Sequence, residues 1–270
     1  MNNEVLKTRL LKNDLPAFVN DALGGVVYGP SLKTQSNDVF TVDGKDMTMD
    51  KLLEKSNQDA EANALTSELV AAMCRANPYE LVSFENAGFV SRWWNNLTGR
   101  NESKLIEFNL YCRRVEKIAE RAPSILNQVK LSISINHFLK QMYESDIELL
   151  EHYIEAGYAF VSSEEADKQV NCPIKEHGLI RLRRRLVNMK VMQASLEMHR
   201  AQVDMSLANS LNTFERLNDS LTSLLHMWRH QIQMFKAGKY DIPSSGKIDK
   251  EFKTLVNKIN ANNVKGKRHG

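Results

Sequence analysis

The chain has 270 residues, of which 42% are hydrophobic and 26% are charged, and this composition excludes an intrinsically disordered protein. The formal net charge of +3 is too small to indicate nucleic acid or acidic lipid as a partner by itself. With only 12 Gly and 6 Pro, the chain has few turn signals for its length, which favours long regular elements.

The cellular compartment of the protein can be predicted from the spacing of its cysteines and from its hydropathy. The three cysteines are far apart and lack CxxC spacing, which is typical of thiols in a reducing compartment. Residues 1–16 contain no apolar segment of the secretory-signal type. No window reaches the ~18–20 apolar residues that a membrane-spanning helix needs. We therefore expect a cytoplasmic protein whose contact with a membrane is at most peripheral.

The first 56 residues are predicted to form a poorly structured N-terminal arm, because Gly24-Gly25 and Gly29-Pro30 interrupt regular structure. Within this arm, Val39–Val42 followed by Asp43-Gly44 is typical of a strand that enters a tight turn. A helical domain is predicted over residues 57–240. Its first helix ends at Asn77-Pro78, since proline disfavours helical structure at the residue before it.

A first long helix is predicted over Arg100–Ala156, between Gly99 and Gly157. Its apolar residues recur at intervals of three and four, as expected for one face of a helix. Pro123 lacks a backbone donor and predicts a kink or a brief break.

A second long helix is predicted over Leu179–Ala237, a stretch of 59 residues without Gly or Pro. Steps of three and four from Leu179 to Phe235 reach 17 positions, of which 13 are apolar, so the stretch has a heptad seam. At ~1.5 Å per residue this helix would extend on the order of 90 Å and would need a partner of similar length. We therefore predict an all-α protein built on a long antiparallel, coiled-coil-like helical hairpin, with shorter helices packed at its base.

Residues 241–270 are predicted to form a short helix and a basic disordered tail. The helix is placed at Asp249–Asn260, where Phe252, Leu255, Val256 and Ile259 share one face. The tail from Lys265 to Gly270 has no apolar residues to bury.

Charge predicts a register for the hairpin. If the helices end where predicted, facing residues have numbers that add to roughly 332, which places Asp146 opposite Arg185 and Glu151 opposite Arg181. The basic cluster at Arg181, Arg183, Arg184 and Arg185 then either neutralises this acidic tip or binds phosphate or nucleic acid. We favour neutralisation, and the same four residues remain the candidate interaction site.

The tryptophans are expected at the other end of the hairpin. Trp228 and Phe235 lie on the seam, and the Trp93-Trp94 segment precedes the first long helix. We predict a structural aromatic cluster of Trp93, Trp94, Trp228 and Phe235, and favour packing over ligand stacking as its role.

Sequence patterns for catalysis and metal binding are missing. There is no Walker loop, GxGxxG or GxSxG pattern. His226 and His230 have the i, i+4 spacing of a metal-binding helix face, but no further ligand completes a set. We expect no enzymatic activity, no cofactor and no metal.

Three stretches resemble the TelA family, the toxic-anion (tellurite) resistance proteins of bacteria. They are Phe89–Gly99, Lys104–Gly157 and Leu221–Gln231, the last with a Trp, a basic residue and a Gln near its end. Their order and spacing agree over about residues 89–235. The chain departs from the family's pattern at Leu225-His226, where an Ile-Pro pair usually stands, and by stopping soon after the last stretch.

The resemblance implies a cytoplasmic stress-response protein that acts through protein or membrane-surface contacts. Its protein partner is unknown, and the long helices could self-associate. The alternative is a helical accessory protein that binds nucleic acid or phage components through its basic cluster.

Overall fold

The computed structural model describes residues 30, 32–35, 38–57, 59–79, 100–166, 173–237 and 242–266. At residues 100–102, 163–166, 173–177, 242–245 and 262–266 only the helical backbone is described. The chain divides into two compact units. The first contains Met1–Leu53 and Ile135–Met205, and the second contains Glu54–Ser134 and Ser206–Gly270.

The described residues are overwhelmingly helical, which confirms the predicted all-α class. The helices are α1 (Met49–Lys55), α2 (Asp59–Arg75), α3 (Arg100–Ala166), α4 (Pro173–Asp219), α5 (Leu225–Lys236) and α6 (Ile242–Gly266). A π-helical segment, Ser220–Leu224, joins α4 to α5 without a break. Strands β1 (Phe40–Val42) and β2 (Lys45–Met47) form one antiparallel hairpin.

In the first unit, α3 and α4 pack as an antiparallel pair, and their register differs from the prediction. Lys140 forms an ion pair with Asp204, the Tyr143 ring lies beside His199, and Gly157 contacts Leu186. Facing residues thus have numbers that add to about 343 instead of 332. The predicted pairs Asp146–Arg185 and Glu151–Arg181 do not fit this register.

The register differs because neither long helix ends where glycine predicted it to end. Helix α3 continues through Gly157 to Ala166. A Cβ atom added to Gly157 would lie 2.4 Å from Leu186 Cδ2, so this glycine provides close helix packing and not a turn. Helix α4 begins at Pro173, since proline is favoured in a helix's first turn. Pro123 likewise lies inside α3, which continues through the predicted break.

The predicted N-terminal arm contains regular structure in the range that the structure describes. Asp43 and Gly44, with φ values of 49° and 72°, form the tight turn between β1 and β2. The Phe40 ring packs 5.7 Å from the Phe138 ring, and Val42 and Met47 are buried. Residues 38–53 are therefore part of the first folded unit, because residues of both strands are buried in it.

The same unit contains a second long-range anchor. The Asp146 carboxylate is 1% exposed and accepts hydrogen bonds from Lys33 N at 3.0 Å and Thr34 N at 2.9 Å. It also accepts a hydrogen bond from Thr34 Oγ1 at 2.7 Å. Asp146 therefore holds the 3₁₀ turn Lys33–Gln35 against α3, a role that replaces the predicted pairing with Arg185.

The second unit has one contiguous hydrophobic core formed by α2, α3, α5, α6 and the chain around the π-helical segment. Helix α6 begins at Ile242 and reaches Gly266, so it is longer than the predicted helix at 249–260. Phe252, Val256 and Ile259 are buried in the core, as their common face predicted. Residues 267–270 of the predicted tail lie outside the described residues.

None of the described helices contains a stretch that is both long enough and apolar enough to cross a membrane.

Candidate functional site

The stretch that resembles the TelA family, Leu221–Gln231, overlaps the π-helical segment and α5. A π turn adds a residue to the helix and is frequent at functional sites. Here it allows Leu224, Leu225 and Trp228 all to be buried in the core of the second unit. Trp228 is 1% exposed, and its indole Nε1 donates a hydrogen bond to the Ala76 carbonyl at 2.9 Å. The stretch therefore anchors α5 to the end of α2.

The predicted aromatic cluster lies partly within the described residues. Phe235 packs against Phe108 with ring centroids 5.6 Å apart, and both belong with Trp228 to the core of the second unit. Trp93 and Trp94 lie outside the described residues. Their place in the cluster therefore stays a prediction.

Two polar residues complete the stretch. Arg229 donates from Nε to Glu116 Oε1 at 3.1 Å and from Nη2 to Oε2, and this hydrogen bonding raises the pKa of Arg229. Gln231 is 1% exposed, and neither its Oε1 nor its Nε2 has a hydrogen-bond partner in the part of the chain that the structure describes. Leaving a buried amide unpaired costs about 1–3 kcal/mol of folding free energy. Because the Gln231 amide has both a donor and an acceptor, it can bind a small polar group or a water.

A cleft between α2 and α3 lies beside this stretch, because Arg75 precedes the Ala76 carbonyl that binds Trp228. The cleft has a volume of about 440 Å³. Its lining residues are Ser67, Glu68, Ala71, Ala72, Arg75, Tyr111 and Arg114.

Two arginines give the cleft its chemistry. Arg114 binds Glu68 Oε1 through Nε at 3.0 Å and Nη2 at 2.7 Å, which fixes the plane of its guanidinium. The Arg75 guanidinium carbon lies 5.2 Å from the Tyr111 ring centroid, and its Nη1 donates to the Tyr111 hydroxyl. With two guanidinium groups and one carboxylate, the lining has a net charge of +1. Planar guanidinium donors suit a carboxylate or another oxyanion.

Sequence reasoning did not find this cleft. Neither Arg75 nor Arg114 is among the candidate site residues that the sequence suggests. The two residues are 39 positions apart, on different helices. A helical pattern shows which residues share a face of one helix, but not which faces of two helices meet.

The predicted interaction site lies on α4 in the first unit. Arg181, Arg183 and Arg184 are exposed, and Arg185 is half-buried. The observed register places these arginines level with the neutral stretch 158–162 of α3 and not with the acidic stretch 144–155. The Arg185 Nε is buried without a hydrogen-bond partner among the residues described. The predicted neutralising role depended on a register that differs from the observed one.

The remaining polar residues form no metal site among the described ranges, and two serines bind partners in the interior. No set of three His, Cys, Asp or Glu side chains converges as a metal site within the described ranges. In the second unit, Ser132 donates to the Ser56 carbonyl at 2.8 Å, and Ser210 donates to Asp59 Oδ2 at 2.8 Å. Burial raises the pKa of Asp59. These hydrogen bonds join α3 to the segment before α2 and join α4 to the first residue of α2, which is a structural role.

Comparisons with known proteins give one distant similarity. No family model matches the chain, and no solved structure does. The chain is 21% identical over 192 residues to "Protein KlaA" of Escherichia coli, which covers 70% of this chain and 72% of that protein. The chain is thus similar to KlaA over most of both lengths.

Proposed function

We propose that this protein is a non-enzymatic, cytoplasmic component of toxic-anion (tellurite) resistance that acts through contacts with a protein or a membrane surface. The observation that carries the proposal is the TelA-like stretch Leu221–Gln231, which in the structure anchors α5 beside the arginine cleft. The similarity to KlaA over 192 residues provides a second likeness to a bacterial protein.

Contact is favoured over catalysis by the character of the described side chains. The cleft is lined by guanidinium groups already bound to Glu68 and Tyr111, and such fixed, planar donors suit the recognition of an anion. Burial raises the pKa of Cys112 to about 11, which disfavours the thiolate that redox chemistry requires. We therefore assign the cleft to recognition of an acidic group on a partner.

The test is tellurite tolerance in a sensitive bacterial host. Expression of the full chain should raise the minimum inhibitory concentration of potassium tellurite. Arg114→Gln should remove most of this gain, because it removes a fork-shaped donor from the cleft.

Arg121→Gln is the matched control. Arg121 lies two turns along the same helix and also pairs with a glutamate of α2, Glu61, but does not line the cleft. It should leave tolerance unchanged. If the wild-type chain gives no tolerance, the proposed function is wrong. If both variants behave like the wild type, the function stands and the cleft is not its contact site.

A second candidate function is binding of nucleic acid or a phage component through the arginine cluster. The corrected register favours this alternative more than the sequence did, since Arg181–Arg185 no longer lie level with the acidic stretch of α3. Binding to a nonspecific duplex should then weaken steeply as salt is raised, and Arg183→Ala with Arg184→Ala should weaken it further. An absence of duplex binding at low salt would remove this alternative.

A further inference from the structure

Helix α4 has a second apolar stripe on the side opposite its buried seam. Its largest side chains are exposed: Ile180 46%, Val187 53%, Val191 67%, Met198 65% and Met205 50%. Exposed Ala194 and Ala201 lie between them. The buried side of the same helix presents Leu182, Leu186, Met189, Leu196 and Val203 to the first unit.

The spacing of the stripe is that of a coiled-coil seam. From Ile180 the positions advance by four and three residues in turn: 180, 184, 187, 191, 194, 198, 201 and 205. Only position 184, an arginine, is polar. A seam of this length requires a partner helix, because a single heptad face buries its apolar residues only against another helix. Contiguous apolar surface of this kind marks an interaction site.

Charges beside the seam identify the partner. The residues that immediately precede the seam positions 184, 191, 198 and 205 are Arg183, Lys190, Glu197 and Asp204. This row is basic in its first half and acidic in its second half. An antiparallel copy of the same helix therefore places each half opposite its complement, Lys190 facing Glu197 and Arg183 facing Asp204. Twofold symmetry forms each pair twice.

The side chains of the seam fit the same arrangement. Centred between residues 192 and 193, the antiparallel pair places Val191 against Ala194 and Val187 against Met198 of the second copy. Arg184 then faces Ala201, whose small side chain leaves room for the guanidinium stem. A parallel pair would instead place Arg184 against Arg184 of the second copy. The residues beside the seam would then form no pairs of opposite charge between the two copies.

The charged residues are accessible for these pairs. Lys190 and Glu197 are both exposed, and Lys190 lies over the Tyr158 ring at 4.7 Å. Asp204 already binds Lys140 at 2.7 Å, so Arg183 of the second copy would extend an existing pair. Burial of the five large apolar side chains in both copies would remove on the order of 1,000 Å² from water, the size of a small specific interface.

We propose that the Ile180–Met205 face of α4 binds the same face of a second copy of this chain in antiparallel orientation. The proposal does not depend on the function proposed above, since it rests on this face alone. It also gives Arg183 and Arg184 of the arginine cluster a role, because both lie in the proposed interface.

Sedimentation velocity of the full chain over a range of concentrations tests the proposal. The wild type should be a dimer that dissociates on dilution. Lys190→Glu and Glu197→Lys should each weaken the dimer by about tenfold or more, since each places like charges opposite one another twice. The double variant with both changes should restore the affinity to within about threefold of the wild type, because it exchanges the partners of the pair.

Two further variants separate the interface from general effects. Val191→Glu places a charge inside the seam and should give a monomer. Glu151→Lys, an exposed reversal on α3 of the same unit, should leave the dimer unchanged. Circular dichroism should show the same helicity for all variants, because each substituted side chain is exposed. A wild type that is monomeric at every concentration overturns the proposal, as does any assembly that Val191→Glu leaves unchanged or a charge exchange that restores nothing.

Discussion

The packing of the α3–α4 pair can be tested by replacing Gly157 with alanine. The same replacement at Gly246 is the control. Both glycines lie inside helices, so replacement by alanine should gain about 1 kcal/mol of helix propensity at either site. Their surroundings differ. The added methyl group at Gly157 would lie 2.4 Å from Leu186 Cδ2 and 3.3 Å from its Cγ. At Gly246 the nearest atom is Tyr79 Cε2 at 4.0 Å, an ordinary contact.

The balance at Gly157 is set by Leu186, which is 0% exposed and has little room to move. Overpacking of this kind costs about 1–3 kcal/mol, which exceeds or cancels the helix propensity. We expect Gly157→Ala to destabilise the protein by about 0–2 kcal/mol, whereas Gly246→Ala should stabilise it by about 1 kcal/mol. The unfolded chain loses the same conformational freedom in both variants, so the difference between them reports the native contact.

Urea unfolding followed by circular dichroism at 222 nm measures both variants, because helix loss is detected in either unit. A double-mutant cycle with Leu186→Ala sharpens the result: the leucine truncation should be less destabilising in the Gly157→Ala background than in the wild type, since it relieves the overlap. A Gly157→Ala variant at least as stable as Gly246→Ala, or strict additivity in the cycle, would refute the close approach of the two helices.

Two predictions concern titratable groups in the second unit. Because burial raises the pKa of Asp59, its charged form is disfavoured in the folded state, and the resulting penalty grows as pH rises above the acid's ordinary range. Asp59→Asn should therefore be more stable than the wild type in urea at pH 7, and this advantage should vanish near pH 4; an advantage independent of pH would contradict burial as the cause. Cys112, whose pKa burial raises to about 11 from 9.0, should react with iodoacetamide on the order of 100-fold more slowly at pH 7.5 in the folded chain than in urea. Site-resolved mass spectrometry measures that rate, and equal rates in the two states would contradict the assignment.

The two proposals place recognition and assembly on different surfaces. The proposed tellurite tolerance involves the cleft between α2 and α3 in the second unit, whereas the proposed dimer involves the outer face of α4 in the first unit. Val191→Glu should therefore abolish the dimer without changing the arginines of the cleft. A variant that dissociates yet retains tolerance would show that assembly is not needed for the proposed function.

The apolar periodicity of the sequence predicted the all-α class and the two long helices, because helix formation depends on residues three and four positions apart. The Asp-Gly pair predicted the turn at Asp43-Gly44, whose positive φ values are favoured by those two residue types. The arginine cluster and the seam residues Trp228 and Phe235 were named from the same patterns. Their positions in the two units, however, follow from contacts between distant parts of the chain.

Register was decided by tertiary structure. Glycine is a common helix terminator, and Gly157 was therefore predicted to follow the end of the first long helix. Gly157 instead lies against Leu186, and Asp146 binds a turn more than 100 residues away in the sequence. Neither contact has a local signal, since each depends on side chains that meet only after the helices have paired.

Helix α4 shows the same division between what the sequence by itself determined and what only the folded chain decided. Its heptad pattern was sufficient to predict a long helix with an apolar seam. It was not sufficient to show that the helix has two seams, because both consist of similar aliphatic residues and both satisfy the same spacing. Only burial distinguishes them: Leu186 and Met189 are covered by the first unit, whereas Val187 and Val191 remain exposed. Periodicity is a property of one helix, but burial depends on every element that packs against it.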